Sequence, residues 1–577
     1  MKQYHIAGDK PNTHYLSIEV SIETEQRESL TISLPVWRPG RYELGNFAKN
    51  IKNFRVENKQ GHPISYKKTS KSSWEIETKK VESIVVKYDY YAFEMNAGSS
   101  FLDDDQLYIN PVNCCVYDHE RMNEQHLIRL LIPEDYKTAT SLKKIEEHAF
   151  IAKDFHELAD SPIIASRNLI SYCFEVENIT THIHLNGGTE SLAQKMIPDF
   201  RQFMQRTKAF FGHCPVSEFH FMFQILPYRF YHGVEHLKST IIAIGPYNEV
   251  ENWSVYSEIL GVSCHEFFHV WNIKHIRPKE MLPYDYQKEN YSQCGFVYEG
   301  FTTYYGDLLL LQSGVFSESD YFATLADRIN RHAQNYGRFN LSLAEASYDT
   351  WLDGYVPGVP QRKVSIYDEG NLFAFLLDIH LIKSSGGKKS LRDICIRLLK
   401  EFGDKNIGYS EKDIIRLANE TANEDLTYLF ENFLYKKSDY LKEVEKCLNE
   451  IGLQLINANQ PASVEQRIGV KTSEGQQGRR ISMIAPDSPA ERSGLSILDE
   501  IISINNNSTK TEYLLAAEEV FQLPAKIEFT ISRGTEAKSY ILEAIGEKNY
   551  FPSYYIESYP LKNNSQEEHF KIWSGIV

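Results

Sequence analysis

The sequence predicts a multidomain α+β protein, with a β-rich N-terminal domain, a mainly helical central domain and a small mixed C-terminal domain. Two observations lead to this prediction. Apolar and polar residues alternate over much of the first 180 residues, as they do in strands that are buried on one face. Between about residues 190 and 435, apolar residues instead recur at helical spacing. A chain of 577 residues is long enough for three or four domains.

The N-terminal domain is predicted to cover residues 1–180 and to form a β-sandwich. Alternating patterns indicate strands at 15–23, 30–34, 74–77 and 83–88. Residues 36–42, Val-Trp-Arg-Pro-Gly-Arg-Tyr, are explained by a strand end and a turn. We expect this domain to shape a cleft rather than to supply chemistry.

The central domain is predicted to cover residues 181–452. It begins with helix Glu190–Phe211, a strand at 219–225 and a second strand at 233–244. A buried helix follows from about 255 to 273, a stretch that contains no proline and only one glycine. Further helices are predicted at 367–381, 390–402, 411–423 and 425–434.

Composition and charge exclude several classes of function. The net charge is −16 and no basic block occurs, which argues against binding to nucleic acid or to an anionic membrane surface. No apolar stretch approaches the length of a transmembrane helix. The first residues lack the pattern of a signal peptide, so we expect a cytoplasmic protein, or a periplasmic one if a leader has been removed. Eight scattered cysteines without Cys-x-x-Cys are typical of free thiols in a reducing compartment.

The chemistry-bearing motif of the chain is His265-Glu266-Phe267-Phe268-His269. Two histidines four residues apart lie on one face of a helix, so both imidazoles can bind one metal ion. Glu266 then points to the same cleft, where it can act on a metal-bound water. The alternative is a core helix with two hydrogen-bonded histidines. A third ligand is needed, and Glu299 is the candidate. Two histidines and one carboxylate form a hydrolytic set for one Zn²⁺, with the fourth position open.

These residues resemble a known family. His265 to His269 with Glu299 is similar to the thermolysin-like glutamate zincins, and Glu299-Gly-Phe-Thr-Thr-Tyr-Tyr305 is similar to the aminopeptidase N group among them. The longer run from Cys264 to Pro278 resembles the glycyl aminopeptidases, whose members carry a C-terminal PDZ domain. The resemblance implies a thermolysin-like, mainly helical zinc peptidase domain in the centre of the chain.

Two further segments fit the same family and suggest roles for three residues. Gly233-Val-Glu235-His resembles an exopeptidase motif, which implies that Glu235 pairs with the α-ammonium group of a peptide. Gly233 would let the substrate backbone approach this edge strand closely. Residues 365–370 resemble the segment that carries a catalytic tyrosine, which implies that the Tyr367 hydroxyl stabilises an oxyanion. The alternatives are a solvated glutamate and an ordinary aromatic residue at a helix start.

The C-terminal part is predicted to hold a PDZ domain at 453–548 and a tail at 549–577. Residues 485–506 resemble the core of bacterial protease-associated PDZ domains, with Ser488-Pro-Ala opening a short helix, Gly494 ending it and Asp499 leading into a strand. Residues 468–470 are a candidate carboxylate-binding loop, so a peptide C-terminus is a possible ligand. The tail carries a short predicted helix at 566–573 that is expected to dock on the central domain.

The sequence therefore predicts a zinc aminopeptidase that hydrolyses the N-terminal peptide bond of peptides by Glu-assisted attack of a zinc-bound water. The family resemblance implies a preference for a small first residue such as glycine or alanine. One alternative is a zinc endopeptidase with the same residues and a different role for Glu235. The other is an adaptor protein that acts through its PDZ domain. The oligomeric state and the physiological substrate do not follow from the sequence.

Overall fold

The structure is a computed structural model that describes residues 1–355, 358–458, 462–476, 478–505, 507–508, 526–543 and 546–576. It has an N-terminal sheet domain, a mainly helical central domain built on a second sheet, and a C-terminal domain of strands and short helices. The predicted mixed α+β class is confirmed. Within the described part of the chain, no helix combines the length and the apolarity that a membrane crossing needs.

The N-terminal domain consists almost entirely of strands. They are β1 (Lys2–Ala7), β2 (Tyr15–Glu23), β3 (Ser29–Ser33), β4 (Ile51–Asn58), β5 (Tyr66–Lys68), β6 (Ser73–Glu77), β7 (Ser83–Tyr91), β8 (Phe101–Leu102), β9 (Gln106–Ile109), β10 (His126–Leu131), β11 (Lys137–Ala139), β12 (Lys143–Glu146), β13 (Ala149–Ala152) and β14 (Ile163–Ser166). Two short helices, α1 (Pro111–Cys114) and α2 (Phe155–Ala159), connect them.

These strands form layers. The largest sheet has the order β12-β13-β10-β1-β2-β7-β4, and two smaller sheets have the orders β3-β6-β5 and β11-β14-β9-β8. Strand β2 alternates buried and exposed residues along its length, which is why its sequence pattern predicts it correctly. The small β3-β6-β5 sheet packs on the large one, where the rings of Trp74 and Phe54 stack at 4.5 Å. These sheets share one apolar core with the central domain.

The central domain is built on a sheet of β15 (Ile170–Val176), β16 (Ile179–Asn186), β17 (Glu218–Ile225), β18 (Phe230–Glu235) and β19 (Ser239–Gly245), in the order β15-β16-β17-β19-β18. This sheet begins ahead of residue 180, the predicted domain boundary. Helix α3 (Glu190–Phe211) covers one face, where Phe200 contacts Phe221. The prediction of α3 is confirmed at both ends, because Thr189 caps its start and Gly212 its end.

The predicted single strand at 233–244 is wrong. The chain forms an antiparallel hairpin of β18 and β19, with β18 at the sheet edge. The turn between them is held by Asp160, whose carboxylate accepts a hydrogen bond of 2.8 Å from the backbone N–H of Leu237. Because this partner comes from the distant N-terminal domain, the local sequence does not reveal the turn.

Helices complete the central domain. They are α4 (Trp253–Phe268), α5 (Thr302–Gln312), α6 (Glu318–Gln334), α7 (Leu343–Asp353), α8 (Asp368–Ser384), α9 (Leu391–Glu401), α10 (Glu411–Ala422), α11 (Thr427–Leu429) and α12 (Leu441–Glu450), with π-helical segments at Phe296–Phe301 and Phe430–Leu434. Helix α4 ends at Phe268, five residues before the predicted end. The chain turns after it, with Ile273 at a φ of 100° and the Lys274 N–H donating to the His269 carbonyl at 3.1 Å.

The C-terminal domain contains β20 (Leu453–Asn457), α13 (Val464–Ile468), β21 (Val470–Glu474), β22 (Arg479–Ile484), α14 (Pro489–Ser493), β23 (Glu500–Ile504), β24 (Asn507–Ser508), β25 (Lys526–Arg533) and β26 (Glu536–Glu543). The predicted short helix is confirmed, with Ser488 as its N-cap and Gly494 as its C-cap. Residues 509–525 of the predicted PDZ domain lie outside the described residues. In the candidate carboxylate-binding loop, Gly469 ends α13 at a φ of 81°.

The tail returns to the central domain, as the sequence predicts. It forms β27 (Tyr554–Ser558), which pairs with β20, and α15 (Asn564–Ser574). Trp573 on α15 is 1% exposed, and its ring N–H donates a hydrogen bond of 2.8 Å to the Tyr304 hydroxyl on α5. The Gln312 side chain donates to the Trp573 carbonyl at 2.7 Å. The last helix is therefore part of the core beneath the central helices.

We expect Trp573→Ala to destabilise the central domain by about 3–5 kcal/mol, because the change empties a large buried site and leaves the Tyr304 hydroxyl without its donor. Thermal unfolding of the full chain should show this as a lower midpoint of the transition in which the helices are lost. Lys571→Ala, at an exposed position of the same helix, is the matched control and should leave the midpoint nearly unchanged. A midpoint unaffected by Trp573→Ala would contradict the docking of α15.

Candidate active site

The two histidines of the His-Glu-x-x-His motif meet where α4 ends. His265 and His269 are one helical turn apart, and their Nε2 atoms are 3.0 Å from each other. Glu299, on the π-helical segment Phe296–Phe301, brings its Oε2 to 3.6 Å from His265 Nε2 and 3.4 Å from His269 Nε2. The three predicted metal ligands therefore converge on one point, with a nitrogen, a nitrogen and a carboxylate oxygen facing it.

Asn272 fixes the geometry of this group. The Nδ1–H of His269 donates to the Asn272 carbonyl at 2.7 Å, which leaves Nε2 of that ring with a free lone pair. The side-chain amide of Asn272 in turn donates to the Val297 carbonyl at 2.8 Å and to the Thr302 hydroxyl at 3.0 Å. One residue thus orients a ligand on α4 and anchors the segment that carries Glu299.

The electrostatics of the group favour a bound cation. Burial lowers the pKa of His265 to about 4. Burial would also lower the pKa of His269, but Glu299 and the other carboxylates raise it to about 9. Burial would raise the pKa of Glu299, but the two histidines lower it to about 2. Glu299 Oε2 is buried and has no hydrogen-bond partner among the described residues. Two imidazoles and a carboxylate with an unpaired buried oxygen are the donor set that zinc prefers in hydrolases.

Glu266 lies beside the metal ligands and is 4% exposed. Carboxylate oxygens of Glu266 and Glu235 and a ring nitrogen of His269 all lie within 4.8 Å of one another. Burial raises the pKa of Glu266 well above its usual range. Gly233 on β18 faces this carboxylate, and a Cβ at that position would collide with it. Gly233 therefore makes room for Glu266, a structural reason for this glycine that differs from the predicted approach of substrate.

Glu235 ends the edge strand β18 and is 3% exposed. Its Oε1 is buried and has no hydrogen-bond partner among the described residues. Gly40 of the N-terminal domain, at a φ of 82°, lies so close to Oε2 that a Cβ there would collide with the carboxylate. The glutamate is therefore enclosed by the neighbouring domain rather than solvated as the alternative interpretation requires.

Tyr367 lies at the start of α8, and its ring centroid is 6.3 Å from that of His265. Its hydroxyl is 3.4 Å from the Tyr355 hydroxyl. Two ion pairs hold this end of the helix, Asp368 with Arg328 at 2.7 Å and Glu369 with His332 at 2.6 Å. A cavity of about 340 Å³ is lined by all seven predicted site residues, which are Gly233, Glu235, His265, Glu266, His269, Glu299 and Tyr367.

Family models match three parts of the chain. The Peptidase M61 N-terminal domain matches residues 3–167, the M61 glycyl aminopeptidase model matches residues 258–373, and the PDZ domain model matches residues 459–531. The chain is a metallopeptidase, and the three matches follow one another in the order N-terminal, peptidase and PDZ domain. The resemblance inferred from the motifs is confirmed, and the match across the three metal ligands supports an aminopeptidase.

Solved structures also resemble this chain. An aminopeptidase N family protein from Idiomarina loihiensis is 25% identical and matches 99% of this chain and 100% of its own, with a TM-score of 0.88. An M1 zinc metallopeptidase from Deinococcus radiodurans is 13% identical and matches 76% of this chain and 94% of its own, with a TM-score of 0.47. No curated protein matches the sequence.

Two tyrosines, one from each domain, belong to the site although the sequence did not identify them. Tyr42 is buried, and its hydroxyl donates a hydrogen bond of 3.1 Å to Glu299 Oε1. Tyr355, from the loop after α7, contacts Tyr367 and lines the same cavity. The expectation that the N-terminal domain only shapes the cleft is therefore too narrow. The sequence feature that could have identified Tyr42 is the run Trp-Arg-Pro-Gly-Arg-Tyr at 37–42, because a strand end and a turn do not require these residues.

We expect Tyr42→Phe to weaken zinc binding about 10- to 100-fold, because removal of a hydrogen bond to a metal ligand typically has this effect. Competition with a chromogenic zinc chelator measures the change. Tyr91→Phe, a hydroxyl deletion at the exposed end of β7, is the matched control. Equal zinc affinity in wild type and Tyr42→Phe would show that the hydrogen bond to Glu299 does not orient the ligand.

Proposed function

We propose that the chain is a zinc aminopeptidase that removes the N-terminal residue of peptides. The observation that carries the proposal is the buried, unpaired carboxylate of Glu235, which lies within 4.8 Å of Glu266 at the end of an edge strand. An extended peptide that pairs with β18 places its α-ammonium group against this carboxylate. Gly40 lies against this carboxylate and lines the cavity there, so the substrate chain begins at this end.

One catalytic zinc ion is held by His265, His269 and Glu299. Zinc in such a site acts as a Lewis acid that makes water a nucleophile near neutral pH and polarises the scissile carbonyl. Glu266 accepts the proton of the attacking water and passes it to the leaving amine. The charge of a bound dication favours the ionised form of Glu266, which offsets the effect of burial on its pKa.

Tyr367 stabilises the transition state. Its hydroxyl donates a hydrogen bond to the oxygen that becomes negative as the carbonyl is attacked. The ion pairs of Asp368 and Glu369 hold the start of α8, so this donor is positioned before the substrate arrives. Tyr355 supports the hydroxyl from the other side.

We further propose a preference for a small first residue, such as glycine or alanine. Gly40 and Tyr355 line the cavity that also contains Glu235, so the room beside the bound ammonium group is limited. The glycyl aminopeptidase match points in the same direction.

A zinc endopeptidase is the second candidate, since it uses the same ligands and Glu266. The PDZ domain offers a possible site for a peptide C-terminus, and a cytoplasmic location is part of the proposal.

We expect Glu235→Gln to lower kcat/KM for free-amine peptides by at least about 30-fold, because the ammonium group then lacks its buried charge partner. Rates on paired peptides, one with a free N-terminus and one acetylated, measure this. Glu557→Gln, at an exposed position of β27, is the matched control. Cleavage of acetylated peptides by the wild type, at a rate that Glu235→Gln does not reduce, would indicate the endopeptidase.

We expect Tyr367→Phe to lower kcat by about 10²–10³-fold with little change in KM, because the hydroxyl acts mainly in the transition state. Steady-state kinetics on a glycyl or alanyl peptide separate the two constants. Tyr348→Phe, on the exposed side of α7, serves as the control. An unchanged kcat would remove Tyr367 from the mechanism, whereas a rise in KM alone would assign it to substrate binding.

A further inference from the structure

A second group of histidines lies outside the active site, on the sheet of the central domain. His182 and His184 are on β16 and His220 is on β17, and one ring nitrogen of each lies within 4.8 Å of the other two. The parallel register places His182 directly opposite His220. His184 is 6% exposed and His220 is 7% exposed. Nothing in the proposed peptidase mechanism uses these three rings.

Glu218 faces the outer nitrogen of His220. Its carboxylate oxygen Oε1 lies 3.4 Å from Nε2 of His220 and 3.0 Å from Nε2 of His182. A carboxylate can only accept hydrogen bonds. When the proton of His220 is on Nε2, facing this carboxylate, Nδ1 presents a lone pair.

That lone pair faces His184. The distance from His220 Nδ1 to His184 Nε2 is 3.1 Å. On the far side of His184, Nδ1 lies 2.8 Å from the hydroxyl oxygen of Ser171, which can accept a hydrogen bond from this nitrogen or donate one to it. When the hydroxyl accepts, Nε2 of His184 and Nδ1 of His220 both present lone pairs, and a cation between them would bind to both. The catalytic pair has the same arrangement, with Nε2 atoms 3.0 Å apart and the outer nitrogen of His269 on a carbonyl.

The surroundings of His184 and His220 suit metal ligands, because both rings are more than nine-tenths buried. The hydroxyl of Ser171 and the carboxylate of Glu218 hold the outer nitrogens, in the way that hydrogen-bond partners orient histidine ligands in metal proteins.

We propose that His182, His184 and His220 bind a zinc ion at a site separate from the catalytic one. His184 and His220 supply the first two nitrogens. His182 supplies the third nitrogen. Its ring now stacks on that of His220, with the centroids 4.4 Å apart and the planes at 9°, and has to turn to face the ion. The ring is partly exposed, which leaves it room to turn. The ion cross-links β16 and β17.

The test measures zinc per chain by mass spectrometry after equilibrium dialysis of the full-length protein against buffered zinc. Four proteins are compared: wild type, His184→Gln/His220→Gln, His265→Gln/His269→Gln and the variant with all four changes. We expect about two, one, one and zero ions per chain, respectively. Because the catalytic pair is removed independently, failure of the aminopeptidase proposal and failure of this one give different patterns.

The proposal is overturned if wild type binds about one ion that is lost with His265→Gln/His269→Gln, or if the second ion persists in His184→Gln/His220→Gln. Retained peptidase activity shows that the latter variant is folded. If it does not fold, Ser171→Ala decides, because this change leaves the buried rings in place and removes only the partner of His184. Ser171→Ala should weaken the second site at least about 10-fold and leave the catalytic site unchanged. Equal affinity at the second site would refute the ligand geometry.

Discussion

Three buried carboxylates around two imidazoles are the constraint on which the central domain depends. Glu235, Glu266 and Glu299 are each no more than 4% exposed. Like charges at such short range repel strongly in a low-dielectric interior, so the fold holds them together only with a proton on one of them or with cations nearby. A dication among the three acids would relieve the repulsion, and metal binding would then stabilise the folded domain.

The site belongs to two domains at once. The segment at 36–42 crosses from the N-terminal sheet to the central domain, where the Trp37 ring N–H donates to the Asp285 carbonyl at 2.7 Å. A few residues further on, Gly40 abuts Glu235 and Tyr42 donates to Glu299. The proposed wall of the substrate cavity at Gly40 and the hydrogen-bond partner of Glu299, Tyr42, thus come from the same short segment. A central domain isolated from its neighbour would lack both, although it would keep every residue of the zinc motif.

Local spacing predicted the parts of the site that are local in the chain. Two histidines four residues apart must share a helix face, so the pairing of His265 and His269 followed from geometry alone. Glu299 was named as the third ligand from its sequence context, with support from the family resemblance, and Tyr367 was reached only through that resemblance, because no spacing rule connects either residue to the motif. Tyr42 and the Asp160 contact that shapes the β18–β19 hairpin were missed, since both depend on partners more than 70 residues away. The end of α4 also involves a tertiary contact, because the Asn272 side chain donates to the carbonyl of Val297, 25 residues away.

The pairing of β20 with β27 changes how the C-terminal domain should be regarded. These strands flank the domain in sequence, and both belong to the surface of the central domain, where the Asn330 side chain bonds the backbone of Tyr554. The PDZ domain is thus an insertion that is joined to the central domain at both of its ends rather than at one end only. A protein captured there is held at a restricted distance from the peptidase cleft. A single cleavage of the chain within the PDZ domain would leave both fragments attached to the central domain. Loss of the last helix would destabilise the attachment of the PDZ domain and the core of the central domain together.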